Sequence, residues 1–113
     1  MYSAMFGTLL KERGIKFETE TKLVPGRKFR VDFFIPKIRC CVEIEGATWR
    51  KGGHSTGVGI IRDCEKSNLL QMNGYMTFRI PTSWFKQKLE SVLEIVDFID
   101  TNYEKQKPRL RGA

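Results

Sequence analysis

Apolar residues recur along this chain with two different periods, and the switches between them divide it into elements. Met5, Phe6, Leu9 and Leu10 fall on one stripe of a helix over residues 2–13, which Gly14 stops. Residues 17–24 (F-E-T-E-T-K-L-V) read as a strand, and Pro25-Gly26 marks the turn after it. Residues 28–35 and 38–45 form second and third strands around a turn at Pro36-Lys37. A helix is expected over 60–73, stopped by Gly74, and then a fourth strand over 75–80 that Pro81 ends. Leu89, Val92, Leu93, Val96, Ile99 and Tyr103 predict a last helix over about 87–104. The order α-β-β-β-α-β-α describes one domain over residues 1–104, with a basic tail at 105–113.

Three carboxylates break the apolar pattern of the second and third strands: Asp32, Glu43 and Glu45. Side chains alternate along a strand, so Cys41, Glu43 and Glu45 share one face while Val42 and Ile44 share the other. If the Pro36-Lys37 turn makes a hairpin, Asp32 can stand beside Glu43 on the neighbouring strand. Acids crowded on a half-buried sheet repel one another and lose hydration, each effect costing on the order of 1 kcal/mol or more. A divalent cation removes both costs. The plainer alternative is that the acids lie on the solvated face of an amphipathic sheet.

Between residues 46 and 59 (G-A-T-W-R-K-G-G-H-S-T-G-V-G) the periodicity stops. Glycine lets backbone approach a ligand closely, and Arg50, Lys51 and His54 supply contacts for phosphate. No G-K-[ST] stands after a four-residue spacer, which argues against a nucleotide-hydrolysing P-loop. On the next helix, Asp63, Lys66 and Leu70 share a stripe, with Arg62 close by. Lys66 is either a surface partner of its neighbours or a cation that reaches across to the sheet.

A chain of 113 residues supports one modest core. Twenty Lys and Arg against thirteen Asp and Glu leave a net charge of +7, which suits a polyanionic partner. On this reading the cations would attract a polyanion and the carboxylates would hold a metal, although surface lysines often serve only solubility. Apolar runs are too interrupted to span a bilayer, and the first residues lack the basic and apolar regions of a signal peptide. Three cysteines, two of them adjacent, form no disulfide framework and point to the reducing cytoplasm. A zinc site from Cys40, Cys41, Cys64 and His54 is disfavoured, because adjacent strand residues face opposite ways and no C-x-x-C occurs.

The element order, with acids on the second and third strands, resembles the core of the PD-(D/E)XK nucleases. The run F-R-V-D-F-F-I-P from Phe29, then V-E-I-E-G, W-R-K-G-G-H-S-T-G, R-D-C-E-K-S-N and N-G-Y-M-T-F-R-I, carries the likeness over about residues 17–85. It is similar to small phage and bacterial proteins near the VRR-NUC group, the very-short-patch repair endonucleases and the archaeal-type Holliday junction resolvases. The resemblance implies a restriction-endonuclease-like α/β core, a mixed four-stranded sheet flanked by helices. It implies that Asp32 is the metal-binding Asp, with Val31 in place of the motif Pro, and that Glu43 is the second acid. Glu45 stands where the pattern has Lys; some members accept Glu there, and others carry the Lys on the next helix, where Lys66 stands. Glu20 looks like an additional acid of the site. His54 and Asp63 match recurrent polar positions without an assigned role.

The activity implied by the resemblance is that of a Mg2+-dependent endodeoxyribonuclease, for which Mn2+ can substitute. Metal would be held by Asp32, Glu43, Glu45 and the Ile44 carbonyl, with Lys66 or Glu45 orienting or deprotonating the attacking water. Arg50, Lys51, His54 and Arg62 would contact DNA, a branched or nicked duplex in the first instance. Symmetrical cutting of a junction would require a homodimer, paired through the apolar stripe of a terminal helix. The competing readings are a DNA-binding module that keeps the fold without turnover, and a structural protein whose acids are solvated.

Overall fold

The computed structural model describes residues 1–46 and 57–105. Its elements are α1 (Tyr2–Glu12), β1 (Glu18–Thr21), β2 (Val31–Ile35), β3 (Cys40–Glu45), α2 (Gly57–Met72), β4 (Met76–Pro81), α3 (Trp84–Gln87) and α4 (Leu89–Lys105). A single 3-10 turn, Pro36–Ile38, joins β2 to β3. The fold is α/β, with one four-stranded mixed sheet in the order β1-β2-β3-β4. The first three strands run antiparallel, and β4 lies parallel to β3 after the crossover through α2.

The last helix expected over about 87–104 is α4; a short helix that was not expected, α3, precedes it, and the two meet at Lys88. Lys105 is the last residue of α4 rather than the first of a tail, and residues 106–113 lie outside the described residues. β1 and β2 are shorter than expected because Pro25-Gly26 opens a turn and the chain from 22 to 30 does not pair, whereas β4 keeps its expected length but is shifted by one residue to include Pro81. Gly57, Val58 and Gly59 belong to the first turn of α2 rather than to a loop. Glycine costs roughly 1 kcal/mol against alanine inside a helix, and this helix carries that cost at its start.

Two apolar layers enclose the sheet. Phe6 and Leu10 of α1, Phe85 of α3 and Val92, Val96, Ile99 and Tyr103 of α4 close on Phe33, Ile35, Cys40, Val42 and Ile80. Gly7 faces into this layer, where a Cβ would sit 3.5 Å from the Phe17 ring and 3.6 Å from that of Phe33. On α1 only part of the predicted stripe is buried, Met5 being exposed. A smaller cluster forms where α2 docks, from Val24, Val31, Cys41 and Leu70. Each fully buried aliphatic side chain of this kind contributes about 1.5–3 kcal/mol. Of the stripe predicted on the last helix, Val92, Val96, Ile99 and Tyr103 are buried within the chain's own core, while Leu89 is exposed and Leu93 half-buried.

The C-terminal end of α2 is fixed from below. Arg39, itself in the left-handed region at φ 50°, donates to the carbonyls of Asn73 (2.7 Å) and Gly74 (3.3 Å) and stacks its guanidinium over Tyr75. A cation at the carbonyl end of a helix offsets the helix dipole as well as the unpaired acceptors. This clamp joins the β2–β3 turn to the helix that carries Lys66, and so sets how α2 lies over the strand acids.

Candidate active site

The alternation C-C-V-E-I-E turns Cys40 and Val42 to the α1/α4 layer, and turns Cys41 toward α2. Glu43 and Glu45 continue on the Cys41 side and line a cavity of about 240 Å3 under α2. Asp32, Asp63, Lys66 and Arg79 line it too. The β2–β3 register pairs Ile35 with Cys40, Phe34 with Cys41 and Phe33 with Val42, so the next position brings Asp32 alongside Glu43. There Asp32 Oδ2 accepts the Ile44 N–H at 2.7 Å, a side chain doing what a backbone carbonyl does elsewhere in the ladder. Hydrogen bonds to a charged group of this kind contribute about 1.5–3 kcal/mol, enough to fix the carboxylate at the strand.

Lys66 reaches the sheet from the middle of α2. Its Nζ donates to the Arg30 carbonyl at 2.7 Å and lies 2.9 Å from Glu43 Oε2, with the aliphatic stem shielded under the helix. The Glu43 side chain is only 16% exposed, and its Oε2 is buried with no donor aligned on it as a hydrogen bond. The Lys66 ammonium is thus that oxygen's one close polar neighbour among the described residues. Burial pushes the Glu43 carboxyl above the ordinary glutamate range; Lys66 pulls it back, and Asp32 and Glu45 raise it further.

Arg79 of β4 is the group that the sequence pattern did not reveal. Its Nε donates to Glu45 Oε2 at 3.1 Å and its Nη2 to Asp63 Oδ2 at 3.2 Å, tying the end of β3 to α2. The bond to Glu45 is the main reason that its guanidinium holds its proton more tightly than usual. The parallel register sets Arg79 opposite Glu43, on the acids' side of the sheet. A single charge inside M-T-F-R-I, otherwise a buried-strand composition, is the signal that could have pointed to it.

The structure thus gathers Asp32, Glu43, Ile44, Glu45, Asp63 and Lys66 around one cavity. Glu20 is not brought into its lining: it is exposed on the edge strand at φ 50°, and its carbonyl accepts from Arg30 at 3.3 Å. Arg62 is exposed at a neighbouring cleft, and Arg50, Lys51 and His54 lie outside the described residues. Cys40 and Cys41 are buried on opposite faces while Cys64 is exposed, so these three thiols do not converge. Among the described residues no three His, Cys, Asp or Glu side chains are assembled as a metal-ligand group. Among them, too, no helix is long and apolar enough to cross a membrane. Comparison with family models and with curated proteins finds no match to this chain.

Proposed function

We propose that this chain is a metal-dependent DNA endonuclease with a restriction-endonuclease-like core, hydrolysing phosphodiester bonds at the cavity under α2. The observation that carries the reading is Glu43, a largely buried carboxylate whose Oε2 meets the Lys66 ammonium at 2.9 Å and which is set beside two further acids, Asp32 and Glu45. A fold optimised for stability alone would fill that position with an apolar or hydrogen-bonded group. The donor set suits a hard cation such as Mg2+, since Asp32, Glu43, Glu45 and the Ile44 carbonyl all offer oxygen. Lewis acidity is what a bound Mg2+ supplies at such a site, making hydroxide available near neutral pH and opposing the charge that gathers on phosphate.

The chain's own residues divide the remaining work. Asp32, fixed by the Ile44 N–H, and Glu43 would hold the cation. The Lys66 ammonium, already charged and held against Glu43, would orient the attacking water and offset charge on the phosphate oxygens. Lys66 would thus act electrostatically on water and phosphate. Glu45 would share the metal once Arg79 releases it. A branched duplex is the substrate this reading favours, with a nicked or mismatched one next.

A second reading, a DNA-binding module without turnover, draws on a specific observation. Glu43 and Glu45 already face cations of the chain itself, Lys66 and Arg79, which compete with any metal. One experiment separates the two. Plasmid, four-way junction and linear duplex are incubated with the protein in Mg2+, Mn2+ or EDTA, alongside Asp32→Asn and Glu43→Gln. Metal-dependent cleavage that disappears in both variants supports the endonuclease. DNA binding with no cleavage in any metal supports the module, and cleavage retained in both variants sinks the site.

A further inference from the structure

A second cleft, of about 750 Å3, adjoins the candidate cavity and shares Asp63 and Lys66 with it. Its walls are the segment between β1 and β2 and the first half of α2. A turn closed by the Arg27 N–H on the Val24 carbonyl (3.1 Å), with Gly26 at φ +79°, delivers Arg27, Lys28 and Phe29 to its rim. Two contacts hold the walls together: Arg27 Nη2 to Glu65 Oε2 at 2.9 Å and Lys66 Nζ to the Arg30 carbonyl at 2.7 Å. The Phe29 ring is half-buried between them, with the Lys66 ammonium 5.5 Å and the Arg27 guanidinium 6.0 Å from its centroid.

The charges of the cleft do not cancel. Glu65 is matched by Arg27, Asp63 by Arg79, and Lys66 by Glu43. Lys28 and Arg62 are left over, both exposed, and neither has an ion partner among the described residues. Two uncommitted cations on opposite walls of a cleft that opens into a nuclease-like cavity call for an anion that continues from one space into the other. A nucleic-acid backbone is such an anion, and a lone phosphate is not. Phe29 lies under two cations, so it steadies positive charge rather than stacking a base. The contact is therefore to backbone and independent of sequence.

We propose that this cleft binds the backbone phosphate next to the one that is cut, with Lys28 and Arg62 as its ligands. The nature of the ligand rests on the endonuclease reading; the binding itself does not require turnover. The test is fluorescence anisotropy in EDTA with a labelled 20-base-pair DNA duplex, over a series of salt concentrations. Lys28→Gln/Arg62→Gln is compared with a control at two exposed cations elsewhere, Lys11→Gln/Lys86→Gln, and with the charge-keeping Lys28→Arg/Arg62→Lys. Loss of two phosphate contacts should lower affinity about tenfold or more at low salt, and should reduce the salt slope by roughly 1.5 to 2. The charge-keeping pair should bind like wild type. Equal losses in the cleft variant and the remote control would overturn the proposal. Wild-type DNA that is cut in Mg2+ with no binding defect in the cleft variant removes the cleft and leaves the endonuclease. A binding defect with no cleavage under any metal keeps the cleft and removes the endonuclease.

Discussion

Burying a carboxylate beside two others raises its affinity for a proton, and in Glu43 loss of water is the largest cause. The native state then keeps a proton over a pH range in which the unfolded chain, with Glu43 near its ordinary 4.5, has already released it. Stability from this group is therefore highest below about that value and falls as pH rises through the native one. Glu43→Gln removes the charge and keeps the shape, while Lys66 retains the Arg30 carbonyl. The variant should melt higher than wild type at pH 7 and converge with it near pH 4, while losing cleavage. A lower melting temperature at pH 7 would show that the Lys66 pairing outweighs the lost hydration. Lys66→Met should lower cleavage on the order of a hundredfold with metal affinity retained, read by Mn2+ titration calorimetry. Glu45→Gln should weaken metal binding and recover partly at high Mn2+. If Lys66→Met cuts at the wild-type rate, the water-orienting role passes to Glu45.

At the scale of elements, what was legible depended on how far a residue lies from its partner along the chain. Alternation within C-C-V-E-I-E determines that Glu43 and Glu45 share a face, and a tight hairpin lets Asp32 meet Glu43; both come from local pattern. Lys66 could be matched to the sheet because it lies one helical turn before Leu70, which α2 buries. Arg79 could not, since its meeting with Glu45 rests on a parallel register set across the whole α2 crossover. Nor could α3, because four residues are too few for a helical period to show. The paired cysteines give an independent check on the sheet. Burial pushes both the Cys40 and the Cys41 thiols up to about 12 from 9.0, whereas Cys64 is exposed on α2. Iodoacetamide at pH 8 should therefore modify one thiol of the folded protein, Cys64, and all three after denaturation, as counted by mass spectrometry. The same shifts make the fold lose stability as pH rises from about 9 towards 12, where unfolded thiols ionise and native ones do not. Rapid labelling of Cys41 in the folded state would mean that α2 does not stay docked on β3.

The whole molecule has its two sides committed to different ends. One face of the sheet is covered by α1, α3 and α4, most of whose apolar side chains close the chain's own core. The other carries α2, the charged cavity and the adjoining cleft, so on the proposed reading DNA would approach from that side. Cutting a four-way junction at two symmetrical positions needs two such cavities related by a two-fold axis, and one chain carries one. Because much of the α4 stripe is spent in the chain's own core, pairing is expected to depend on the junction, whose own symmetry brings two chains together. Multi-angle light scattering should then give a chain of 13.1 kDa alone and two chains on each junction. Cleavage of the junction should produce paired nicks, and supercoiled plasmid should be converted first to nicked circles. One chain per junction at saturating protein, with single nicks only, would exclude symmetrical resolution and leave a nicking endonuclease with the same cavity and the same metal requirement.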